Sequence, residues 1–70
     1  MNTTTNYNIP IGEKYSLSVS EAAQYFRIGE KKLYDLAKDN PDAKWLLRNG
    51  NRVQFKRSLF EKYLDGINII

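Results

Sequence analysis

LLRNGNRVQFKR, Leu46 to Arg57, reads as a β-hairpin. Asn49-Gly50 suits both central positions of a type I′ turn, which need positive φ and match the twist of the flanking strands. That turn sets Arg48 opposite Asn51, Leu47 opposite Arg52 and Leu46 opposite Val53. Leu46, Val53 and Phe55 then share one face, free to pack on helices, while Trp45 falls on the other side with Leu47 and Gln54, near a rim. Packing at the margin of the core is the preferred reading of Trp45, ahead of a ligand-stacking role. The turn requires Asn49 and Gly50 but not the arginine on each side, Arg48 and Arg52. Arginines at the tip of a projecting loop call for a reason outside the fold.

Upstream of the hairpin the chain carries two helical patterns. In SVSEAAQYFRIG, Ser18 and Glu21 have capping-box spacing, and Val19, Ala22, Ala23 and Phe26 fall on one face. This helix ends near Arg27, before Ile28-Gly29. A second follows at once in GEKKLYDLAKDN, with Gly29 as N-cap and Leu33, Leu36 and Ala37 facing inward beside Ile28. Glu30, Lys31, Tyr34, Asp35 and Lys38 face outward, with Lys32 near the edge. Asn40-Pro41-Asp42 closes it, because proline disfavours helical geometry in the residue before it. Two short amphipathic helices joined by about three residues make a helix-turn-helix pattern, a spacing that plain helical hairpins share.

Downstream, RSLFEKYLDGI has a second capping-box spacing, Ser58 to Glu61, and the apolar set Leu59, Phe60, Tyr63, Leu64 and Ile67. It predicts a third helix ending near Gly66. Residues 1–8 are polar and aperiodic, a flexible tail. IPIGEKYSLS supplies either a short edge strand or an extended cover over the core, the edge being where Pro10 is tolerated. The fold expected is α+β: a small winged helix-turn-helix spanning 9–66, with a two-stranded wing and a C-terminal helix, followed by an apolar tail at 67–70. Ile67, Ile69 and Ile70 either fold back on the core or contact a protein partner.

Composition narrows the function. Seventy residues make one domain. Without cysteine or histidine the chain lacks disulfides, thiol nucleophiles, the commonest general base and the commonest metal ligand. No cofactor or metal site is expected, and no catalytic constellation stands out. The lack of cysteine fits a reducing cytoplasm, and neither an apolar run long enough to span a membrane nor a signal peptide is present. The net charge of +3 says less than its distribution. From Lys44 to Arg57 the bases Lys44, Arg48, Arg52, Lys56 and Arg57 occur with no acid between them, and all eight acids lie elsewhere. Such segregation by structural element points to a surface for a polyanion.

YSLSVSEAAQYFRIGEKKLYDLAK followed by NGNRVQFKRSLFEKYL resembles the small winged-helix excisionases, most closely those of conjugative transposons, from about Ile9 to Leu64. The resemblance implies a winged helix related to MerR-like regulators, with the second helix in the major groove and the wing along the adjacent backbone or minor groove. It implies a protein that bends DNA and directs a tyrosine-recombinase integrase toward excision, with no chemistry of its own. Carried over, it nominates Lys31, Lys32, Tyr34, Asp35 and Lys38 on the second helix and Arg48, Asn49, Asn51 and Arg52 in the wing. Lysines and arginines neutralise phosphates, and arginine also enters narrow minor grooves. Asp35 either accepts from cytosine N4 or, as preferred, pairs with Lys38 or Lys32. Arg27, Lys56 and Arg57 are further phosphate contacts or surface and helix-end charges.

Double-stranded DNA, an integrase and neighbouring copies along DNA are thus the expected partners. A small winged-helix transcriptional regulator is the alternative, and a module whose basic hairpin meets an acidic protein is a third reading.

Overall fold

The computed structural model describes residues 9–68. A 3₁₀ turn, Ile11–Glu13, leads into strand β1 (Ser16–Ser18), helix α1 (Val19–Phe26), helix α2 (Glu30–Asp39), strands β2 (Leu46–Asn49) and β3 (Arg52–Lys56), and helix α3 (Arg57–Asp65). The strands form one antiparallel sheet in the order β1-β3-β2. This is the α+β winged helix-turn-helix architecture expected from the sequence. The predicted tail at 1–8 and the last residues, 69 and 70, lie outside the described residues.

β1 is the edge strand foreseen, but it covers only the end of the segment. The 3₁₀ turn after Pro10 breaks the alternation begun at Ile9; Leu17, inside β1, is fully buried, and Tyr15, just before it, is exposed. Ser18 ends the strand and caps α1. Its hydroxyl accepts from the Glu21 amide at 3.1 Å, and the Glu21 carboxylate accepts from the Ser18 amide at 3.0 Å. Two otherwise unpaired donors of the first turn are satisfied in this way.

α1 stops at Arg27, which adopts the left-handed conformation with φ 59° and ψ 44°. The Ile28 amide then donates back to the Ala23 carbonyl at 3.2 Å, a Schellman-type closure. The connection to α2 is therefore only Arg27, Ile28 and Gly29. Gly29 is the N-cap of α2, and Asn40 closes it with its Nδ2 donating to the Leu36 carbonyl at 2.9 Å.

The hairpin differs from the reading of Asn49-Gly50. Asn49 pairs with Arg52, Arg48 with Val53, Leu47 with Gln54 and Leu46 with Phe55. The loop is thus Gly50-Asn51. Gly50 has φ 66° and Asn51 does not share the positive φ, the pattern of a type II′ rather than a type I′ turn. A two-residue displacement keeps every side chain on its predicted face, because the strand repeat is also two. What it changes is the row of partners: Leu46 and Leu17 now flank Phe55 across the sheet. In the expected register Phe55 faces Lys44 instead, an apolar ring opposite an ammonium.

Trp45 also departs from expectation. It precedes the ladder, so strand alternation does not govern it, and it turns into the core with only 6% exposure. Its ring lies parallel to Phe55 at 5.8 Å and meets Phe60 at 4.8 Å and Tyr63 at 5.1 Å. Phe26 closes the cluster edge-on to Phe60 at 5.1 Å. Beside these rings, Leu17, Val19, Ala22, Leu33, Ala37 and Leu46 complete one core joining helices and sheet. Phe60 is fully buried, and its truncation to alanine costs about 3–5 kcal/mol in a site of this kind.

The second capping box does not form. α3 begins one residue before Ser58, with Lys56 as N-cap and no side-chain cap. β3 runs straight into the helix, and the Arg57 amide is already taken by the Tyr15 carbonyl at 3.0 Å. Glu61 instead lies 3.7 Å from the Arg57 guanidinium. Leu59 is exposed, whereas Phe60, Tyr63 and Leu64 contribute to the core. Ile67 is half-buried just beyond the helix, its amide donating to the Leu64 carbonyl at 3.2 Å.

Candidate nucleic-acid interface

The cross-strand pairs and strand alternation place Arg48 and Arg52 on opposite faces of the wing. Arg48 shares the core-facing side with Val53 and Phe55 but lies beyond the core, exposed to solvent. Arg52 shares the outer side with Gln54, Lys56 and Asn49. Asn49 and Asn51 are exposed at the tip.

β1 pairs with β3 only as far as Gln54, because the chain turns away at Ser18 to start α1. Past that point the edge of β3 is open, and α2 runs alongside the gap. The result is a cleft of about 330 Å³ lined by Ser20 of α1, Glu30 and Tyr34 of α2, and Asn51, Arg52 and Gln54 of the wing. Of the predicted site residues, the cleft brings Tyr34, Asn51 and Arg52 together. Lys31, Lys32, Asp35 and Lys38 are exposed on α2 outside its lining, as are Arg48 and Asn49 on the wing. Arg52 is the one basic residue in this lining, with the α2 lysines and Arg48 outside it.

Several predicted residues have internal partners that bear on their roles. Asp35 pairs with Lys31 at 3.4 Å, one helical turn back, where Lys38 or Lys32 was expected. The pair is solvent-exposed and contributes little to stability. Arg57 donates from Nε to the Lys14 carbonyl at 3.0 Å and pairs with Glu61, so its guanidinium ties the approach to β1 to the start of α3. Lys56 is half-buried, opposite Ser16. Arg27 is exposed at the junction of α1 and α2.

Ser20, Glu30 and Gln54 were not singled out by sequence reasoning. Glu30 was legible, as the first helical residue after the Gly29 cap, where an inserted helix presents its side chains to base edges. Gln54 depended on the hairpin register, and Ser20 on the angle at which α1 leaves the sheet.

Partial burial acts to raise the Glu21 pKa, but hydrogen bonds from Lys14 and from the Ser18 amide and hydroxyl, with the Lys14 charge, outweigh it. The carboxyl is held below its ordinary value of 4.5. Among the described residues no group of His, Cys, Asp and Glu is placed to hold a metal, and no helix is long and apolar enough to cross a membrane.

A helix-turn-helix with a basic two-stranded wing beside its second helix defines the class: a small winged-helix protein. The profile of the family described as excisionase from transposon Tn916 matches residues 1–70. A relative from Streptococcus agalactiae serotype V, described in the same words, is 54% identical over 63 residues, 90% of this chain and 94% of its own length. The chain belongs to the Tn916 excisionase family.

Proposed function

We propose that this chain binds double-stranded DNA as an accessory factor for excision, with α2 in the major groove and the wing on the adjacent backbone or minor groove. Lys31, Lys32 and Lys38 neutralise phosphates flanking the groove, and Tyr34 donates its hydroxyl to the backbone. Arg48 and Arg52 reach the two sides of the strand that the wing straddles, with Asn49 and Asn51 at the slim tip. The observation carrying this reading is the cleft between α2, which bears Lys31, Lys32 and Lys38, and an acid-free wing that bears Arg48 and Arg52. Arg27 and Lys56 extend the phosphate track at its ends. Bound at adjacent sites, copies bend the duplex and favour assembly of a tyrosine-recombinase integrase for excision; the protein itself makes or breaks no bond.

Electrophoretic shift against the ends of the host element, with and without the integrase, tests the reading. Ordered multiple shifts with bend-dependent mobility, enhanced by integrase, are expected. One palindromic site indifferent to integrase marks a transcriptional regulator instead, and no binding at low salt marks a module for an acidic protein.

A further inference from the structure

The geometry assigns to Glu30 the reading of one base pair, through acceptance of a hydrogen bond from an exocyclic amino group in the major groove, cytosine N4 above all. The assignment rests on the DNA-binding reading above. Glu30 is the first residue of α2, exposed, and lines the cleft with Tyr34 one turn further on and Arg52 across from it. Among the described residues its carboxylate makes no side-chain hydrogen bond or ion pair, and Arg52 does not pair with it. α2 carries two further exposed acids: Asp35 is held by Lys31, and Asp39 stands at the opposite, C-terminal end of the helix, away from the cleft lining. No lysine or arginine occupies the positions three or four residues after Glu30, which are Leu33 and Tyr34.

An unpaired carboxylate on a surface that meets DNA is repelled by phosphate, so it detracts from general affinity for DNA. It becomes favourable only where a duplex presents a donor. In the major groove those donors are cytosine N4 and adenine N6, and a carboxylate pairs naturally with the first. The N-terminal residues of an inserted helix are the ones that contact base edges. Position, freedom from partners and sign of charge converge on sequence discrimination, with the surrounding lysines and arginines supplying affinity that is blind to sequence.

The test is selection of the wild type, Glu30→Gln and Glu30→Ala from a duplex library randomised at every position, followed by anisotropy titration against the wild-type-selected duplex and a shuffled duplex. The expected result is loss or change of preference at one column of the selected motif in both variants. Discrimination there falls roughly 5- to 150-fold, the worth of one good side-chain–base contact. Affinity for the shuffled duplex stays equal or rises. An unchanged motif with higher affinity for both duplexes overturns the assignment and leaves Glu30 a repulsive charge. A lower melting temperature with an unchanged motif also overturns it, leaving only a favourable partner for the α2 dipole. If the wild type binds neither duplex, the DNA-binding reading itself fails, an outcome distinct from the other two.

Discussion

Arg52 is the cross-strand partner of Asn49, and Arg48 is the partner of Val53, so the wing carries its two arginines on opposite faces. Alanine at either position is expected to weaken binding to all duplexes. It should also flatten the plot of log affinity against log salt by up to about 0.9 for each phosphate no longer neutralised. The double variant should be weakened by close to the sum, since sites without shared partners are additive. Fluorescence titration over a salt series measures this. A double variant no worse than either single one shows that only one face of the wing meets DNA.

Gly50 alone makes the tip possible. Its φ of 66° is strained for any L-residue, and a Cβ there would meet no atom within 4 Å. Gly50→Ala therefore loses stability through the backbone alone, about 1–2 kcal/mol by urea denaturation. D-Alanine at the same position, introduced by chemical synthesis, should restore it. Asn51→Gly should be nearly neutral for stability, and a large loss there would return the turn to Asn49-Gly50.

Two overlapping turn signals sit in Asn49-Gly50-Asn51, which explains what the sequence could and could not disclose. Both dipeptides suit a hairpin, and local chemistry does not choose between them. The choice is made across the sheet, where Phe55 needs Leu17 on one side and Leu46 on the other. The helices were readable because their signals are local: the Ser18–Glu21 box, the Gly29 cap and the Leu33, Ala37 face. Trp45 and the missing cap at Ser58 were not, since each depends on how a neighbouring strand ends. For the interface, residue types showed its elements, while membership of the cleft waited on where β1 departs from β3. The roles of the individual contact residues still rest on the proposal.

The capping box at Ser18 ties stability to pH. Ser18→Ala removes the acceptor for the Glu21 amide and should cost about 0.5–2 kcal/mol. Each kcal/mol of destabilisation lowers the melting temperature of a domain this size by about 4–8 °C. Because the folded pKa of Glu21 lies below its ordinary 4.5, the carboxylate's contribution is fully present above that value. It fades as pH falls through the lowered folded value. Glu21→Gln should therefore be less stable than wild type at neutral pH and lose less on acidification. Parallel stability–pH curves for the two proteins, from thermal melts, would count against this linkage.

Arg57 has an architectural task that competes with DNA contact. Its Nε donates to the Lys14 carbonyl, and its side chain is only 24% exposed. Arg57→Gln should cost about 1.5 kcal/mol, the low end for a charge-assisted hydrogen bond because the site is partly solvated. The salt slope of DNA binding should stay as in the wild type. A slope reduced by about 0.9 shows instead that the guanidinium also reaches a phosphate.

β3 passes into α3 without a single loop residue, and neither glycine nor proline occurs from Arg52 to Asp65. The loop tip is thereby welded to Phe55 and Phe60, the two largest of the fully buried side chains. A load applied to Arg52 travels down this spine into the protein's interior with no loop between strand and helix. When such a stiff wedge engages a polymer whose pyrimidine–purine steps kink readily, the polymer is the softer body and takes up the misfit. If the chain binds DNA as proposed, curvature in the duplex is the mechanical complement of a wing strand joined to its helix without a hinge.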